Sequence, residues 1–299
     1  MRDRAGATDV LLSLAVLMWA FNFPVTKYVL DHGFQPLAYA AVRYGVATVL
    51  FAALTIAIER TLAVRGWPAW RFLSLAIFAL LLNQICFVYA LELTTATTAA
   101  LILGTTPVFT VLISHLTGVE RLSPRFWLAA AVSFGGVALV AAGSGGDLSG
   151  DLGGNLLAVG MAVTWAGYSV GIAPLMRSYS PYRISAVVLI AMWIPLFAIS
   201  APQVADQQYG NLGWEVWLGL AYAIVFPLVL TNVLWFTAIG RVGPSHASIF
   251  ANLLPFVAAI LAVLLLDESL SLVQVVGGVL IALGIVVVRF RARVQPPRP

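Results

Sequence analysis

The chain has 299 residues, of which 61% are hydrophobic and only 9% are charged, whereas about 25% of the residues in a soluble domain are charged. This composition excludes an ordinary water-soluble protein. The net charge of +4 does not indicate a nucleic-acid partner, because the basic residues are spread over short loops between apolar runs.

The apolar runs follow one another with short connections. A helix of roughly 20 residues crosses a hydrocarbon core of about 30 Å. The runs are continuously apolar and lack the alternation of a lipid-facing strand. They predict an all-α integral membrane protein with ten transmembrane helices, spans 1 to 10, near residues 10–30, 37–58, 70–91, 95–117, 124–143, 154–175, 182–200, 215–238, 245–266 and 270–290.

Spans 1 and 2 contain the two basic residues that lie inside predicted helices. Arginines before an apolar stretch also occur in signal peptides, but the length of span 1 and its Trp19 and Asn22 predict an uncleaved first helix. Lys27 lies near the end of span 1 and is expected to snorkel. Arg43 in span 2 would cost roughly 2.5 to 3.5 kcal/mol at a helix centre. It therefore either snorkels to the outer interface or pairs at the helix end, or it attracts a substrate carboxylate.

Polar and aromatic side chains recur in spans 1, 3, 4, 6, 8 and 9. A polar group in a membrane helix needs a partner, so it marks a cavity or an interhelical contact. Neutral amides, hydroxyls and aromatic faces suit a small amphipathic zwitterion or an aromatic metabolite. The substrate-binding candidates are Trp19, Asn22, Arg43, Asn83, Gln84, Tyr89, Thr98, Trp165, Tyr168, Asn232, Trp235, His246 and Asn252.

For each candidate there is a structural alternative. The amides can join helices, the tryptophans can fill helix contacts, and a threonine often binds its own backbone. Pro107 in span 4 and Pro255 in span 9 each remove a helical hydrogen bond. These prolines are either gating kinks or inherited bends.

No pattern indicates a metal or a cofactor. Cys86 is the only cysteine, and His115 and His246 are far apart without metal-ligand spacing. The glycine-rich residues 144–153 follow a helix and lack the Lys-Ser or Lys-Thr ending of a phosphate loop. They predict a flexible exposed linker.

The basic residues divide unequally between the two sides of the predicted bundle. Fourteen of the sixteen lie at one set of span ends and none at the other. By the positive-inside rule both termini are cytoplasmic, which requires an even number of spans. The opposite side carries the acidic residues Asp31, Glu92, Asp147, Asp151, Asp206, Glu215, Asp267 and Glu268.

The two halves of the chain match each other at a nearly constant offset. Trp19-Ala20 corresponds to Trp165-Ala166, and Pro107 to Pro255. The offset is 148 in the later spans, where Glu120–Ser123 and Glu268–Ser271 share a Glu-x-Leu-Ser pattern that predicts a turn into a helix N-cap. We therefore predict two five-helix repeats, residues 1–143 and 154–299, the second with a basic C-terminal tail. Five is odd, so the repeats are inverted, as in alternating-access transporters.

On these motifs the sequence resembles the drug/metabolite transporter superfamily, specifically its ten-helix EamA-type members, over essentially the whole chain. In length and in its aromatic-rich helices it is similar to the YddG type of amino-acid exporter. The resemblance implies a basket of ten helices with a central cavity lined by spans 1, 3, 4, 6, 8 and 9. Spans 5 and 10 would lie at the periphery.

The absence of Asp and Glu deep in the spans favours facilitated movement over proton coupling. We expect an exporter of aromatic or other neutral amino acids, or of similar metabolites, in the inner membrane of a bacterium. The alternatives are a multidrug or sugar-derivative carrier and a membrane enzyme acting on lipids, although an enzyme would need clustered acidic, histidine or cysteine residues. We expect a monomer, with a dimer as the alternative, and no catalytic residues.

Overall fold

A computed structural model describes residues 2–64, 67–116, 124–143, 148–242 and 250–289. All regular secondary structure within these residues is helical, as predicted. The α-helices are α1 Arg2–Asp31, α2 Pro36–Glu59, α3 Trp67–Leu93, α4 Ala96–Leu103, α5 Thr106–Leu116, α6 Pro124–Ala142, α7 Leu148–Ile172, α8 Pro181–Asp206, α9 Trp214–Ala223, α10 Thr231–Val242, α11 Leu254–Leu266 and α12 Leu272–Arg289. A π-helix, Ile224–Leu230, joins α9 to α10.

Seven segments of the described chain are long and apolar enough to cross a membrane, judged by length and composition. These segments lie in α1, α2, α3, α4 with α5, α7, α8, and α9 continuing into α10. Shorter apolar helices of 10–17 residues lie in α6, α11 and α12. The protein is therefore a multi-pass membrane protein. The described apolar helices overlap the predicted spans, and the count of ten stays a prediction.

Part of the predicted glycine-rich linker is helical. Residues 148–153 were expected to form part of a flexible turn, but they belong to the first turns of α7. Tertiary contact explains the difference, because a Cβ on Gly154 would lie 2.7 Å from the backbone carbon of Leu93. Next to it, the side chain of Asn155 accepts a hydrogen bond from the hydroxyl of Thr94 at 3.1 Å. The end of α3 thus holds the start of α7, which offsets the poor helix propensity of glycine.

The second Glu-x-Leu-Ser motif leads into a helix N-cap, as predicted. The Oγ atom of Ser271 accepts a hydrogen bond from the backbone N–H of Gln274 at 3.2 Å. The side chain of Gln274 accepts one in return from the Ser271 N–H at 3.0 Å, which is a capping box. The first copy, Glu120–Ser123, lies outside the described residues.

The helices pack in a regular set of neighbours. α3 packs along α7, α6 along α12, and α2 along α8. α1 lies against α11 and also against the segment formed by α9, the π-helix and α10, while α7 packs against both α4 and α5. The contacts of α1 with α11 and α10, and of α3 with α7, bring together helices that are distant in the sequence.

Glycines set the contact between α6 and α12. A Cβ on Gly136 would lie 2.6 Å from the carbonyl oxygen of Gly277, and a Cβ on Gly277 would lie 2.6 Å from that of Gly136. Further along, a Cβ on Gly284 would lie 2.9 Å from the carbonyl oxygen of Ala129. Small residues of this kind allow two membrane helices to approach at their backbones.

Candidate functional site

Arg43 belongs to α2, and its side chain lies inside the bundle against α3. Its side chain is buried, with 2% exposure. The guanidinium carbon lies 5.1, 5.0 and 5.2 Å from the ring centroids of Tyr39, Tyr44 and Phe87, respectively. These distances allow cation–π attraction. The aromatic rings therefore surround a fixed positive charge.

The hydrogen bonding of Arg43 is incomplete. Its Nη2 atom donates to Oε1 of Gln84 at 2.7 Å, but its buried Nε atom has no hydrogen-bond partner. No carboxylate of the described residues lies within salt-bridge distance of it. A buried charge without a counter-ion is unfavourable, and an anion that reached it would be stabilised.

Gln84 continues a chain of hydrogen bonds into α7. Its Nε2 atom donates to Oδ1 of Asn83 at 2.9 Å. Asn83 in turn donates to the carbonyl oxygen of Met161 at 2.8 Å and to the hydroxyl of Thr164 at 3.3 Å. The amide orientation of Gln84 is thereby set by Asn83, so that its oxygen faces Arg43.

One face of α1 completes this group. The hydroxyl of Thr26 lies 3.0 Å from that of Tyr39, and Thr26 donates to Oδ1 of Asn22 at 3.4 Å. Phe23 meets Phe87 edge to face, with ring centroids 5.5 Å apart. We call the resulting group the Arg43 cluster: Asn22, Thr26, Tyr39, Arg43, Tyr44, Asn83, Gln84, Phe87 and Thr164.

A second group surrounds the π-helix and includes three other predicted residues. The indole N–H of Trp19 donates to the carbonyl oxygen of Pro227 at 3.1 Å, and its ring centroid lies 5.1 Å from that of Trp235. Asn232 donates to the carbonyl oxygen of Leu228 at 2.7 Å. Two side chains thus bind carbonyl groups of the irregular segment, and π-helical turns are frequent at functional sites.

We expect Trp19→Phe to destabilise the protein and Trp165→Phe to leave its stability unchanged. The first change removes the N–H bound to Pro227, a hydrogen bond whose net contribution is about 0.5 to 1.5 kcal/mol. Trp165 is 37% exposed, and its indole N–H makes no hydrogen bond among the described residues. Thermal unfolding of the two purified variants measures the difference, and equal melting temperatures would contradict it.

Both predicted proline sites follow an interruption of the helix. α4 ends at Leu103, and α5 begins at Thr106 with Pro107 as its second residue. α11 begins at Leu254, again with proline as its second residue. The two interruptions touch, because a Cβ on Gly104 would lie 3.5 Å from the Cβ of Pro255. Interrupted membrane helices at corresponding positions of two repeats commonly mark substrate sites and moving segments.

Three of the remaining candidates bind neighbouring helices. The hydroxyl of Tyr89 accepts a hydrogen bond from Gln203 of α8 at 3.1 Å. The hydroxyl of Thr98 accepts one from Gln274 of α12 at 3.1 Å. Tyr168 lies beside Ser185 of α8. Tyr89 and Thr98 therefore lie outside the Arg43 cluster, whereas Tyr168 lies close to Tyr44 of that cluster.

The other candidates are more scattered. The ring of Trp165 lies 5.4 Å from that of Tyr168. Asn252 is half-buried in the turn before α11. His246 lies outside the described residues. Within the described residues, His, Cys, Asp and Glu form no group of three that could hold a metal ion.

Sequence reasoning missed the aromatic surroundings of Arg43 and the role of Pro227. Tyr39 and Tyr44 lie four residues before and one residue after Arg43, and the first spacing would have placed a ring on the same helix face. Pro227 interrupts span 8 as Pro107 and Pro255 interrupt spans 4 and 9. Ala79 occupies the corresponding position of the first half, so the match between the two halves does not reveal Pro227.

Comparisons with known proteins agree with this architecture. The profile of the EamA-like transporter family matches residues 6–142 and 152–290. The chain is 25% identical to "Uncharacterized transporter YyaM" of Bacillus subtilis over 92% of this chain and 91% of that protein. It is 28% identical to "Uncharacterized transporter YwfM" of the same organism, with coverage of 95% and 96%.

An uncharacterized transporter of Archaeoglobus fulgidus is 27% identical, with 93% of this chain and 96% of that protein covered. A solved crystal structure matches with a TM-score of 0.65 at 21% identity. That match covers 96% of this chain and 98% of the other, and it shows a shared fold.

Proposed function

The chain belongs to the EamA-like transporter family, and from this premise we propose that it carries amino acids or similar small carboxylate-bearing metabolites, with Arg43 in the substrate site. The observation that carries the proposal is the buried guanidinium. It has no carboxylate partner among the described residues, one free N–H and three aromatic neighbours. A substrate carboxylate would supply the missing charge, and its apolar part would meet the rings.

The packing of the helices supports two inverted five-helix halves. Under a two-fold axis between such halves, span 5 would pack on span 10 and span 2 on span 7, as α6 does on α12 and α2 on α8. The contact of α3 with α7 would have its counterpart in that of α10 with α1, and both contacts are present. We propose ten spans with cytoplasmic termini, in accord with the unequal loop charges.

The mechanism we propose is alternating access, in which the two halves rock around the Arg43 cluster. The helix interruptions beside Gly104 and Pro255 are in contact, and they would allow the helical segments on either side of each interruption in spans 4 and 9 to move. Among described side chains in the buried class, Arg43 is the one charged group, and none is Asp or Glu. This supports facilitated export over proton coupling.

We expect purified protein in liposomes to pass labelled phenylalanine, methionine or threonine down its gradient. The rate should change less than about two-fold when a pH gradient is imposed, because none of the carboxylates in the described part of the chain is buried and available to carry a proton. Protein-free liposomes are the control. Absence of flux for every member of a broad amino-acid panel would contradict the substrate proposal, and movement of cationic dyes would point to a multidrug carrier.

A further inference from the structure

A carboxylate from the second half of the chain caps a helix of the first half at the acid-rich end of the bundle. The helix is α4, and its own N-cap residue, Thr95, accepts a hydrogen bond from the N–H of Thr98 at 3.1 Å. The N–H groups of Ala96 and Thr97 donate instead to the two carboxylate oxygens of Glu268, at 2.8 and 2.9 Å. The first turn of α4 is therefore completed by the turn that follows α11.

Gln274 of α12 adds a second contact to α4. Its side chain is buried, and its Nε2 atom donates to the hydroxyl of Thr98 at 3.1 Å. Its Oε1 atom accepts a hydrogen bond from the N–H of Ser271 at 3.0 Å, so the amide nitrogen is directed at α4. We call Glu268 and Gln274, with the groups of α4 that they bind, the acid-end latch.

The acid-end latch lies beside a cleft. Glu268 and Thr95 line this cleft of about 440 Å³, together with Lys27 near the end of α1. Thr26, the residue before Lys27, belongs to the Arg43 cluster, and neither Thr26 nor Tyr39 has any exposed surface. The Arg43 cluster is therefore closed toward the cleft in this structure.

Another contact between the two halves is bonded at both ends. At the acid-rich end, Gln203 of α8 accepts a hydrogen bond from the N–H of Leu37, in the first turn of α2, at 2.7 Å. At the opposite end, Arg183 of α8 forms an ion pair of 3.0 Å with Glu59, the last residue of α2. Separating the two helices at either end would break one of these contacts. We call this pair of helices the α2–α8 seam.

The position of Glu268 makes the acid-end latch reversible. Ala96 and Thr97 are buried, and a buried N–H group without an acceptor is costly. Glu268 is only half-buried and lines the cleft. When its carboxylate leaves, water that enters from the cleft can accept the same two hydrogen bonds. The latch can thus open without leaving unsatisfied donors.

We propose that Glu268 and Gln274 gate the acid-rich end of the bundle, while the α2–α8 seam stays closed and forms part of the axis about which the halves rock. The proposal rests on the alternating access proposed above and identifies the contact that breaks in each cycle. Release of the latch frees the start of α4 from α11 and α12, which opens a path from the cleft to the Arg43 cluster. Rebinding of the two N–H groups by Glu268 closes it.

The accessibility of a buried thiol tests the latch without any substrate. Cys86→Ser removes the only cysteine, and Thr26→Cys then places a thiol in the Arg43 cluster. A membrane-impermeant maleimide is added to right-side-out membrane vesicles, in which the proposed orientation exposes the acid-rich end. Glu268→Ala should make labelling about ten-fold faster, which corresponds to about 1.4 kcal/mol in the population of the open state. Labelling in inside-out vesicles should not become faster.

Gln203→Leu is the matched control, because it also removes a side chain that caps the first turn of a helix in the other half. It should lower the melting temperature and change the labelling rate by less than about two-fold. Glu268→Gln keeps one acceptor oxygen and should give an intermediate rate. Gln274→Leu should also accelerate labelling, and it tests the latch if Glu268→Ala does not fold.

Two results of the labelling experiment would overturn the proposal. If the folded Glu268 and Gln274 variants melt at a lower temperature but are labelled at the original rate, both side chains only stabilise the fold. If Gln203→Leu accelerates labelling as much as Glu268→Ala, the α2–α8 seam opens together with the latch and is not part of the axis.

Reversible cross-linking tests the same contacts through flux. In the Cys86→Ser protein, Thr97→Cys and Glu268→Cys are joined by a short reducible bifunctional thiol reagent, and Leu37→Cys and Gln203→Cys are joined in a second variant. The link across the latch should lower flux at least about ten-fold, and a reductant should restore it. The link across the seam should leave flux within about two-fold. Full flux through the linked latch would overturn the gate.

The two proposals fail in different ways. Glu268-dependent labelling together with no amino-acid flux would overturn the proposed function and retain the latch. Amino-acid flux together with labelling that does not depend on Glu268 or Gln274 would overturn the latch alone. Neither flux nor a change in labelling would overturn both.

Discussion

Replacing Arg43 with methionine is expected to weaken transport of carboxylate-bearing substrates by about 30-fold to several thousand-fold. Removing one partner of a buried, hydrogen-bonded charge pair costs about 2 to 5 kcal/mol of binding free energy. Each 1.4 kcal/mol corresponds to a tenfold change in affinity, which gives the expected range. Methionine keeps an unbranched apolar side chain among Tyr39, Tyr44 and Phe87. The concentration dependence of flux in proteoliposomes measures the effect.

Two comparisons separate substrate binding from a structural role of Arg43. Arg43→Lys keeps the charge but loses the planar donor group, so it should retain part of the flux. Phenethylamine lacks the carboxylate, and its transport should be affected less than that of phenylalanine. If Arg43 only joined α2 to α3 through Gln84, both substrates would lose flux equally and the protein would be less stable. If the substrate uses Arg43, the methionine variant should keep its stability, because a desolvated charge has been removed.

Gly136→Ala is expected to lower the melting temperature of the protein by about 2 to 12 °C. The added Cβ would lie 2.6 Å from the carbonyl oxygen of Gly277 and 2.9 Å from the backbone nitrogen of Ile281. Because both atoms belong to the backbone of α12, the two helices must move apart. Overpacking of this kind costs about 1 to 3 kcal/mol, and each kcal/mol lowers the melting temperature of a larger domain by about 2 to 4 °C.

The neighbouring residue provides the matched control. A Cβ on Gly135 would meet no atom within 4 Å, and alanine is favoured over glycine within a helix by about 0.5 to 1 kcal/mol. Gly135→Ala should therefore be neutral or slightly stabilising. Thermal unfolding of the detergent-solubilised variants, followed by size-exclusion chromatography, measures both changes. Equal melting temperatures would contradict the close backbone contact between α6 and α12.

The predicted and observed helices differ where a tertiary contact overrides local preference. Residues 148–153 form part of α7 although two of them are glycines, because Gly154 and Asn155 pack against the end of α3. The two prolines interrupt their helices as expected from the loss of a backbone donor. The contact between the interruptions, at Gly104 and Pro255, was not predictable from their spacing in the sequence.

The two predicted repeat-related tryptophans have different surroundings. Trp19 binds Pro227 and contacts Trp235, whereas Trp165 is partly exposed and contacts Tyr168. Their equivalence in the sequence therefore does not extend to their contacts. The π-helix of span 8 accounts for the difference, because the carbonyl oxygen of Pro227 in it accepts the hydrogen bond of Trp19. Trp165 has no such partner among the described residues.

The sequence by itself determined that the chain is helical and crosses a membrane several times, since both follow from the length and continuity of apolar runs. It also identified the polar residues that require partners, because the cost of burying them depends on residue type. Only the tertiary structure decided which partners they find. Asn22, Arg43 and Asn83 meet in one cluster because α1, α2, α3 and α7 are packed together, and the rotation of each helix about its axis depends on contacts between residues far apart in the chain.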